Sequence, residues 1–261
     1  MTKKELISVF NDTMDFVTTK FSGPTLRAQM STRIISDPED FRGEKYYDDP
    51  AIIKVTNRDT FTAAKEYANI INSTNEGFVG VLNFASSTNP GGGVTKGSTA
   101  QEECLCMESY LYNVLKEFDG TFYEWNRRHK NNALYLNRAL YSYSVRFMRG
   151  EKFRYCDVIT CASPNKTASQ KYCGVSDEEN SKVLRDRIDF VLKIAKDNLV
   201  EILILGGYGC GVFGQNPYEV AQIFKELLTT KYKCFDKVIF AIPDKKGENY
   251  IAFKEVLKDV I

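Results

Sequence analysis

The sequence predicts an α/β fold of three layers: a mixed, largely parallel sheet between two layers of helices, preceded by an N-terminal helical extension. Three features carry this expectation. Short apolar runs of strand length, FVGVLNF, CDVITCA, VEILIL and KVIFAI, recur from residue 78 onward, and their lack of polar alternation marks strands covered on both faces. Segments with helical periodicity separate most of them, and strand-helix-strand order at this spacing pairs strands in parallel. Glycine clusters follow two of the runs, at once after VEILIL and, with six residues between, after FVGVLNF.

In chain order, residues 3–20 read as a helix, with Leu6, Val9, Phe10, Met14 and Phe16 or Val17 spaced along one side. A loop follows. Residues 51–56 (AIIKVT) form a short strand, and Asp59-Thr60 then occupies the cap position ahead of a helix over 61–71. After the buried strand 78–84 and the first glycine cluster comes one continuous helix over 101–118, with Cys104, Met107, Leu111, Leu115 and Phe118 on one face. Residues 134–148 alternate as an edge strand does, and 153–162 read as a buried strand. The last third alternates helices over 177–197, 217–230 and 249–260 with strands over 200–205 and 237–242. No Pro/Gly/Ser-rich boundary divides the series. Residues 51–261 are therefore expected to form one globular unit, with residues 1–50 as a helical extension packed on it.

Composition narrows the function. Thirty-five Lys+Arg against 34 Asp+Glu leave a net charge of +1 in 261 residues, 43% of them apolar. That excludes intrinsic disorder and argues against broad attraction to nucleic acid or anionic lipid. No apolar run approaches the roughly 18 residues of a membrane-spanning helix, and the first dozen residues lack the apolar core and cleavage site of a secretory signal. The expectation is a cytoplasmic protein with no membrane partner and no sequence-specific nucleic-acid binding. Seven cysteines, at 104, 106, 156, 161, 173, 210 and 234, are odd in number and have no zinc spacing, and they read as reduced thiols. The one histidine, His129, lies in a polar run over 126–132 and reads as a solvated loop residue. Neither a metal nor a cofactor is expected, and acid-base work falls to carboxylates.

Nine of the 17 glycines lie in two stretches, 91–97 (GGGVTKG) and 206–214 (GGYGCGVFG), each between a buried strand and a helix. Ligands of open α/β sheets bind outside the carboxyl ends of the strands, and glycine there lets backbone amides approach a phosphate. A plain tight turn would need only one glycine. Two such loops suggest an anionic ligand gripped from two sides, with Gly209 and Gly211 tolerating no side chain. Residues 209–214 fit G-x-G-x-x-G, but they follow the next-to-last strand, and the nearest acid at the right distance, Asp236, precedes its strand. Lys96-Gly97-Ser98 has the wrong order for a P-loop. What remains is a diphosphate cradle of another kind.

Directly after the first loop stand Thr99, Gln101, Glu102 and Glu103. Thr99 and Glu102 have the spacing of a capping box, which would account for Glu102 alone. Glu103 is left over. Adjacent carboxylates beside a bound anion feel opposed influences: a helix N-terminus lowers their pKa values, while mutual repulsion and phosphates raise them. A carboxylic acid next to a diphosphate suggests cleavage of a glycosidic bond in a nucleotide sugar.

Gly91-Gly92-Gly93, seven residues, then Gln101-Glu102-Glu103 resembles the GGG-x(6-8)-QEE signature of poly(ADP-ribose) glycohydrolases, whose catalytic domain is a macrodomain. Residues 81–90 and 206–217 (GGYGCGVFGQNP) are similar to the microbial-type branch, and the likeness runs from about residue 53 to the C-terminus. The resemblance implies a macrodomain-like fold and hydrolysis of the ribose-ribose O-glycosidic bond of poly(ADP-ribose), releasing ADP-ribose without metal. It implies that Glu103 is the catalytic acid and then the base, and that Glu102 holds the distal ribose hydroxyls. Gly91, Gly92 and Gly93 would pass close to the diphosphate, beside Gln101. Gly207, Gly209, Cys210, Gly211, Val212 and Phe213 would form the second diphosphate loop, Phe213 packing by the distal ribose. Asn83 and Asn89 are further ligand candidates. Ser86 stands where the metazoan branch has asparagine. Asp59 reads equally as an adenine partner or a helix cap, and Tyr135, Tyr141, Tyr143 and Phe147 as adenine-stacking rings or a strand face. The implied partners are poly(ADP-ribose) and ADP-ribosylated macromolecules. The same pocket could instead serve an ADP-ribose-binding module without turnover, or a mono-ADP-ribosyl hydrolase.

Overall fold

A capping box starts the chain: Thr2 Oγ1 accepts the Glu5 amide while the Glu5 carboxylate accepts the Thr2 amide at 2.7 Å. The helix it opens, α1 (Lys3–Lys20), buries Phe10 and Val17. The computed structural model describes residues 1–36, 47, 49–74, 78–148, 154–243 and 245–261. Where a loop was expected after α1 there is a second helix, α2 (Ser22–Ser31), and a short strand, β1 (Arg33–Ile35). Gly23 and Pro24 hide that helix in the sequence. Both fall in its first turn, where the N–H that proline lacks has no intrahelical partner. Thr13 Oγ1 donates to Met107 O at 3.0 Å and Gln29 Nε2 to Asn113 O at 2.9 Å, which ties both helices to the body.

The remaining elements are β2 (Ile52–Thr56), α3 (Thr60–Thr74), β3 (Phe78–Phe84), α4 (Gln101–Met107), α5 (Leu111–Glu117), α6 (Glu124–Arg128), β4 (Ala139–Phe147), β5 (Arg154–Cys161), α7 (Lys166–Cys173), α8 (Asp177–Asp197), β6 (Val200–Leu205), α9 (Pro217–Thr230), β7 (Lys237–Ala241) and α10 (Glu248–Val256). One seven-stranded sheet runs in the order β1-β4-β5-β3-β6-β7-β2. The five strands from β5 to β2 are parallel, and β4 and β1 are antiparallel additions. The expected mixed, largely parallel sheet with helices on both faces is what the chain forms.

Three expectations change in detail. The alternating strand does not lie at an edge, because β1 pairs with it, Ile34 opposite Leu140. Three residues are too few to carry a readable pattern. It also starts only at Ala139, since the chain before it turns, with Tyr135 at φ 58°. The expected helix over 101–118 breaks at Ser109, whose buried hydroxyl donates to Leu105 O at 2.6 Å and accepts from the Leu111 amide at 3.1 Å. Such local bonding competes with the helix ladder. The expected first residue of the β5 segment, Phe153, lies outside the described residues.

Alternate residues of each central strand serve opposite cores. On one face Leu82, Leu203 and Phe240 pack with α8, α9 and α10 through Leu184, Phe224 and Phe253. On the other Val81, Ile204 and Ile239 pack with α1, α3 and α5 through Phe10, Phe61 and Leu111. No helix among the described residues is long and apolar enough to cross a membrane.

One cation sits inside this frame. Arg187 of α8 is 1% exposed. Its Nε donates to Asn137 Oδ1 at 2.6 Å, and its terminal nitrogens donate to Ala162 O and to Leu134 O. The guanidinium thus fixes the chain where it leaves β5. Arg187→Ala leaves the half-buried Asn137 amide oxygen and the carbonyls of buried Ala162 and Leu134 without this donor, so it should lower unfolding free energy by about 3 kcal/mol or more. Arg187→Lys should recover less than half of that, since an ammonium cannot serve three diverging acceptors in a plane. Urea denaturation of the three proteins measures both.

Candidate active site

The carboxyl ends of β5, β3, β6, β7 and β2 lie along one rim, and the loops that leave them enclose a cleft of about 840 Å³. That volume suits a ligand of nucleotide-sugar size. In sheet order the lining comes from Ser163 after β5, Ser86, Asn89, Pro90, Gly92 and Gly93 after β3 with Gly91 outside it, residues 207–209 and 211–213 after β6, Pro243 after β7 and Asp59-Thr60 after β2. Gln101, Glu102 and Glu103 of α4 complete the floor beside the β3 loop.

The three consecutive side chains of α4 have separate tasks. Gln101 clamps the end of β3: its Oε1 accepts the Phe84 amide and its Nε2 donates to Leu82 O, each at 2.8 Å. The β3 ladder with β6 stops at Val81, so the carboxamide takes over where the neighbouring strand leaves off. Glu102, 2% exposed, accepts the Ser86 amide at 2.7 Å on one oxygen and Asn83 Nδ2 at 3.2 Å on the other. Glu103, 7% exposed, accepts the Gly93 amide at 2.8 Å on Oε1. Its Oε2 has no protein partner among the described residues. The expected capping box is absent: the cap residue is Ala100, without a side-chain bond, and Glu102 turns inward to the β3 loop. The backbone amides of Ser86 and Gly91 and the buried Asn83 carboxamide outcompete a solvent-exposed cap.

Burial pushes the Glu102 carboxyl up to about 8, against the opposing pull of the Ser86 and Asn83 donors, and the charge of Glu103 adds to the rise. Glu102 is thus mainly protonated at neutral pH. Asn83 is wholly buried, does not line the cleft and holds Glu102 from behind, with Nδ2 also near Thr160 Oγ1 at 3.3 Å. Its own Oδ1 is buried without a partner.

The glycine triplet is shaped by these carboxyls. Gly92 has φ +59°, and a Cβ there would lie 2.5 Å from Glu103 Oε1 and 3.1 Å from Glu102 Oε2. Gly91 faces the Tyr112 ring and Gly93 the Ser98 hydroxyl. Asn89 is exposed on the lip, its side chain bonded to Thr88 Oγ1.

The second loop carries no charged side chain. Gly209, at φ +77°, is pressed against Ser163 and Gln215, and a Cβ would meet the Ser163 hydroxyl at 2.5 Å. Gln215 anchors the loop by donating to Pro164 O at 2.8 Å and pairing with Asn180 of α8. Gly211 is different: its missing Cβ would point into open space. Any intolerance at Gly211 would have to come from a ligand rather than the fold. Among the described residues the amides of Gly209, Gly211, Val212 and Phe213 donate to no protein acceptor, an arrangement suited to an anion. Gly207 and Phe213 also line the cleft, and Val212 is 82% exposed on its lip. Cys210 does not line it; burial raises its thiol to about 12.

Asp59 lines the cleft, yet both its oxygens serve Thr62, accepting the amide and the hydroxyl at 2.8 Å each, so the helix cap is real. Tyr141 and Phe147 are buried in the sheet, Tyr141 donating to Asp157, and Tyr143 bonds Asn198. None of these rings reaches the cleft, and Tyr135 does not line it either. His129 is exposed and stacks on Trp125 at 3.9 Å. Tyr112, Tyr208 and Asn249 do line the cleft. Helical or loop position alone gives them no signal in the sequence.

Comparison with known proteins agrees with this geometry. Residues 15–150 match the family model described as the catalytic domain of microbial-type PARG. Among solved structures, poly(ADP-ribose) glycohydrolase from Thermomonospora curvata is 26% identical, covering 97% of this chain and 99% of that one with a TM-score of 0.83. The same protein bound to the inhibitor ADP-HPD gives 27% and 0.82. Poly(ADP-ribose) glycohydrolase from Deinococcus radiodurans in complex with ADP-ribose is 30% identical, covering 93% of this chain and all of that one with a TM-score of 0.80. No curated protein matches the chain.

The raised Glu102 pKa has a stability consequence of definite sign. The folded state holds a proton that the unfolded chain releases near 4.5, so the favourable contribution is complete below that pH and is lost as pH rises toward 8. Glu102→Gln removes the titration. The stability difference between variant and parent should move in favour of the variant by a few kcal/mol from pH 4.5 to pH 8, at about 1.4 kcal/mol per pKa unit. Denaturant titrations across that range test it, and a difference that does not change with pH would refute the buried neutral carboxyl.

Proposed function

The chain belongs to the microbial-type poly(ADP-ribose) glycohydrolase family, and from that premise we propose that Glu103 is its catalytic acid and base. The enzyme hydrolyses the glycosidic bond between ribose units of poly(ADP-ribose). The observation that supports the assignment is the contrast between two neighbouring carboxyls. Glu102 has both oxygens engaged by Ser86 and Asn83, whereas Glu103, which also lines the cleft, is held through Oε1 and has no protein partner on Oε2 among the described residues. In this reading Glu103 Oε2 delivers a proton to the departing ribose hydroxyl oxygen as the bond to the anomeric carbon breaks. The same carboxylate then takes a proton from the attacking water, and ADP-ribose leaves.

The protonated Glu102 would hold the hydroxyls of the distal ribose. The open amides of Gly209, Gly211, Val212 and Phe213 would receive the diphosphate from one side and the 91–93 loop would border it on the other, with Phe213 against the distal ribose. The substrate reaches the enzyme as polymer on modified macromolecules. Seven free thiols suit a reducing cytoplasm.

Glu103→Gln keeps the shape and the bond to Gly93 but can neither give nor take the proton. Polymer hydrolysis should fall by about 10²–10⁴-fold while ADP-ribose affinity by calorimetry moves only a few-fold. Undiminished turnover in the variant would remove Glu103 from the mechanism. A parent that binds ADP-ribose but never turns over would make the protein a binding module.

We propose further that no metal takes part, because Glu103 supplies the proton transfers by itself. Among the described residues no three His, Cys, Asp or Glu side chains are placed to hold one. Activity in excess EDTA should equal that in buffer, and a loss restored by added Mg²⁺ or Zn²⁺ would contradict the carboxylate-only scheme.

A further inference from the structure

Among the described residues, the cations that line the cleft come from one stretch of the chain. Lys96, Lys116 and Arg127 all belong to segments that follow the β3 loop, whereas the loop over 206–214 has no charged residue. Along the sheet order, Asp59 and Pro243 mark the β2–β7 end, the uncharged loop follows on β6, and the two glutamates follow on β3. The Lys96 amide donates to Gly93 O and Arg127 to Thr88 O, which places both with the β3 loop that holds the glutamates, and Lys116 joins them through Asp119.

The three cations are exposed and outnumber the one carboxylate that two of them share. Lys116 Nζ and Arg127 NH1 both approach Asp119 at 3.0 Å, so two cations share one carboxylate. Arg127 also donates to Thr88 O at 2.8 Å, which fixes it beside the β3 loop. Their side chains remain 55% and 39% exposed. Lys96 has no ion-pair partner among the described residues. Held cations with one carboxylate between them, at the mouth of a cleft, form a site for a second anion rather than a neutralised surface network.

Resting on the glycohydrolase reading above, we propose that Lys96, Lys116 and Arg127 form a second subsite, which binds the diphosphate of the ADP-ribosyl unit on the leaving side of the scissile bond. The chemistry fits. The departing hydroxyl belongs to the adenosine ribose of the penultimate unit, and that ribose carries its own diphosphate on its 5′ carbon. A substrate whose terminal diphosphate lies in the amide loop and whose scissile bond lies at Glu103 must extend its next diphosphate past the glutamates. Free ADP-ribose has no such group, so this subsite favours polymer over product and helps the product leave.

The test compares two substrates that differ only beyond the scissile bond: the ADP-ribose dimer, and ADP-ribose joined through the same anomeric carbon to 4-nitrophenol, which brings no phosphate. The parent should show a dimer KM that rises steeply between 50 and 200 mM NaCl, while the aryl glycoside KM rises less, because each phosphate contact adds to the salt dependence. Lys96→Glu with Lys116→Glu should raise the dimer KM by about tenfold with kcat little changed, and Lys96→Ala with Lys116→Ala should raise it less. Aryl glycoside kinetics, ADP-ribose affinity and the thermal midpoint should stay as in the parent for both variants. Equal losses on both substrates, or no change on the dimer, would overturn the subsite while leaving the glycohydrolase assignment standing. A parent that cleaves neither substrate would instead overturn the glycohydrolase reading and this proposal with it.

Discussion

Two carboxyl groups on consecutive residues, both nearly free of solvent contact, are the constraint on which the site depends. A buried carboxyl without donors is costly, and two side by side repel as well. The chain meets this with backbone: Ser86 and Gly93, on opposite sides of the same loop, each give an amide to one of the pair, and Asn83 gives a side-chain donor. The glycine triplet follows from that arrangement. Gly92 lies so close under both carboxyls that any side chain would displace them, and its left-handed backbone is what turns the loop back toward them. A loop that looks built only for a phosphate is therefore first a cradle for the carboxyls themselves.

The second loop solves a different problem. It has no charge to neutralise and no carboxyl to hold, and its backbone amides stay open because Gly209 and Gln215 pin it against Ser163, Pro164 and Asn180. Preorganised amides need no rearrangement when an anion arrives. Arg187 supports the same region from inside, since the carbonyl of Ala162 that it holds precedes Ser163 on the cleft wall. Rigid elements thus place each loop end, and only the short turns between them face the ligand.

Much of this was legible in the sequence, for reasons that can be traced to particular segments. The central strands are long apolar runs covered on both faces, so residues 78–84, 200–205 and 237–241 stand out without any tertiary information. The glycine clusters and the pair Glu102-Glu103 were visible because their chemistry is unusual at those positions. What escaped was set by particular partners that periodicity does not show. The inward turn of Glu102 depends on the Ser86 amide, the break at Ser109 on a hydroxyl that bonds Leu105 instead of water, and the interior position of β4 on a three-residue strand more than 100 positions earlier. Gly209 and Gly211 look alike in sequence. Only the packing of Ser163 against one of them separates structural need from ligand access.

The division of labour proposed for the two glutamates rests on geometry more than on proton affinity. Glu102 is the carboxyl whose pKa is most plainly raised, and on that ground alone it would be the obvious acid. A general acid must also reach the leaving oxygen and later the water, however, and both Glu102 oxygens face protein donors. In the proposed scheme its proton would serve a static task, holding ribose hydroxyls while presenting no charge to a substrate that brings two phosphates. Such neutrality would also limit the repulsion that a second carboxylate imposes in the proposed proton transfer from Glu103. Glu103 is tied at one oxygen and free at the other, so it can exchange a proton without losing its place. The buried neutral partner and the tethered open one are complementary consequences of the same loop, because the backbone that encloses Glu102 leaves Glu103 at the edge of the cleft.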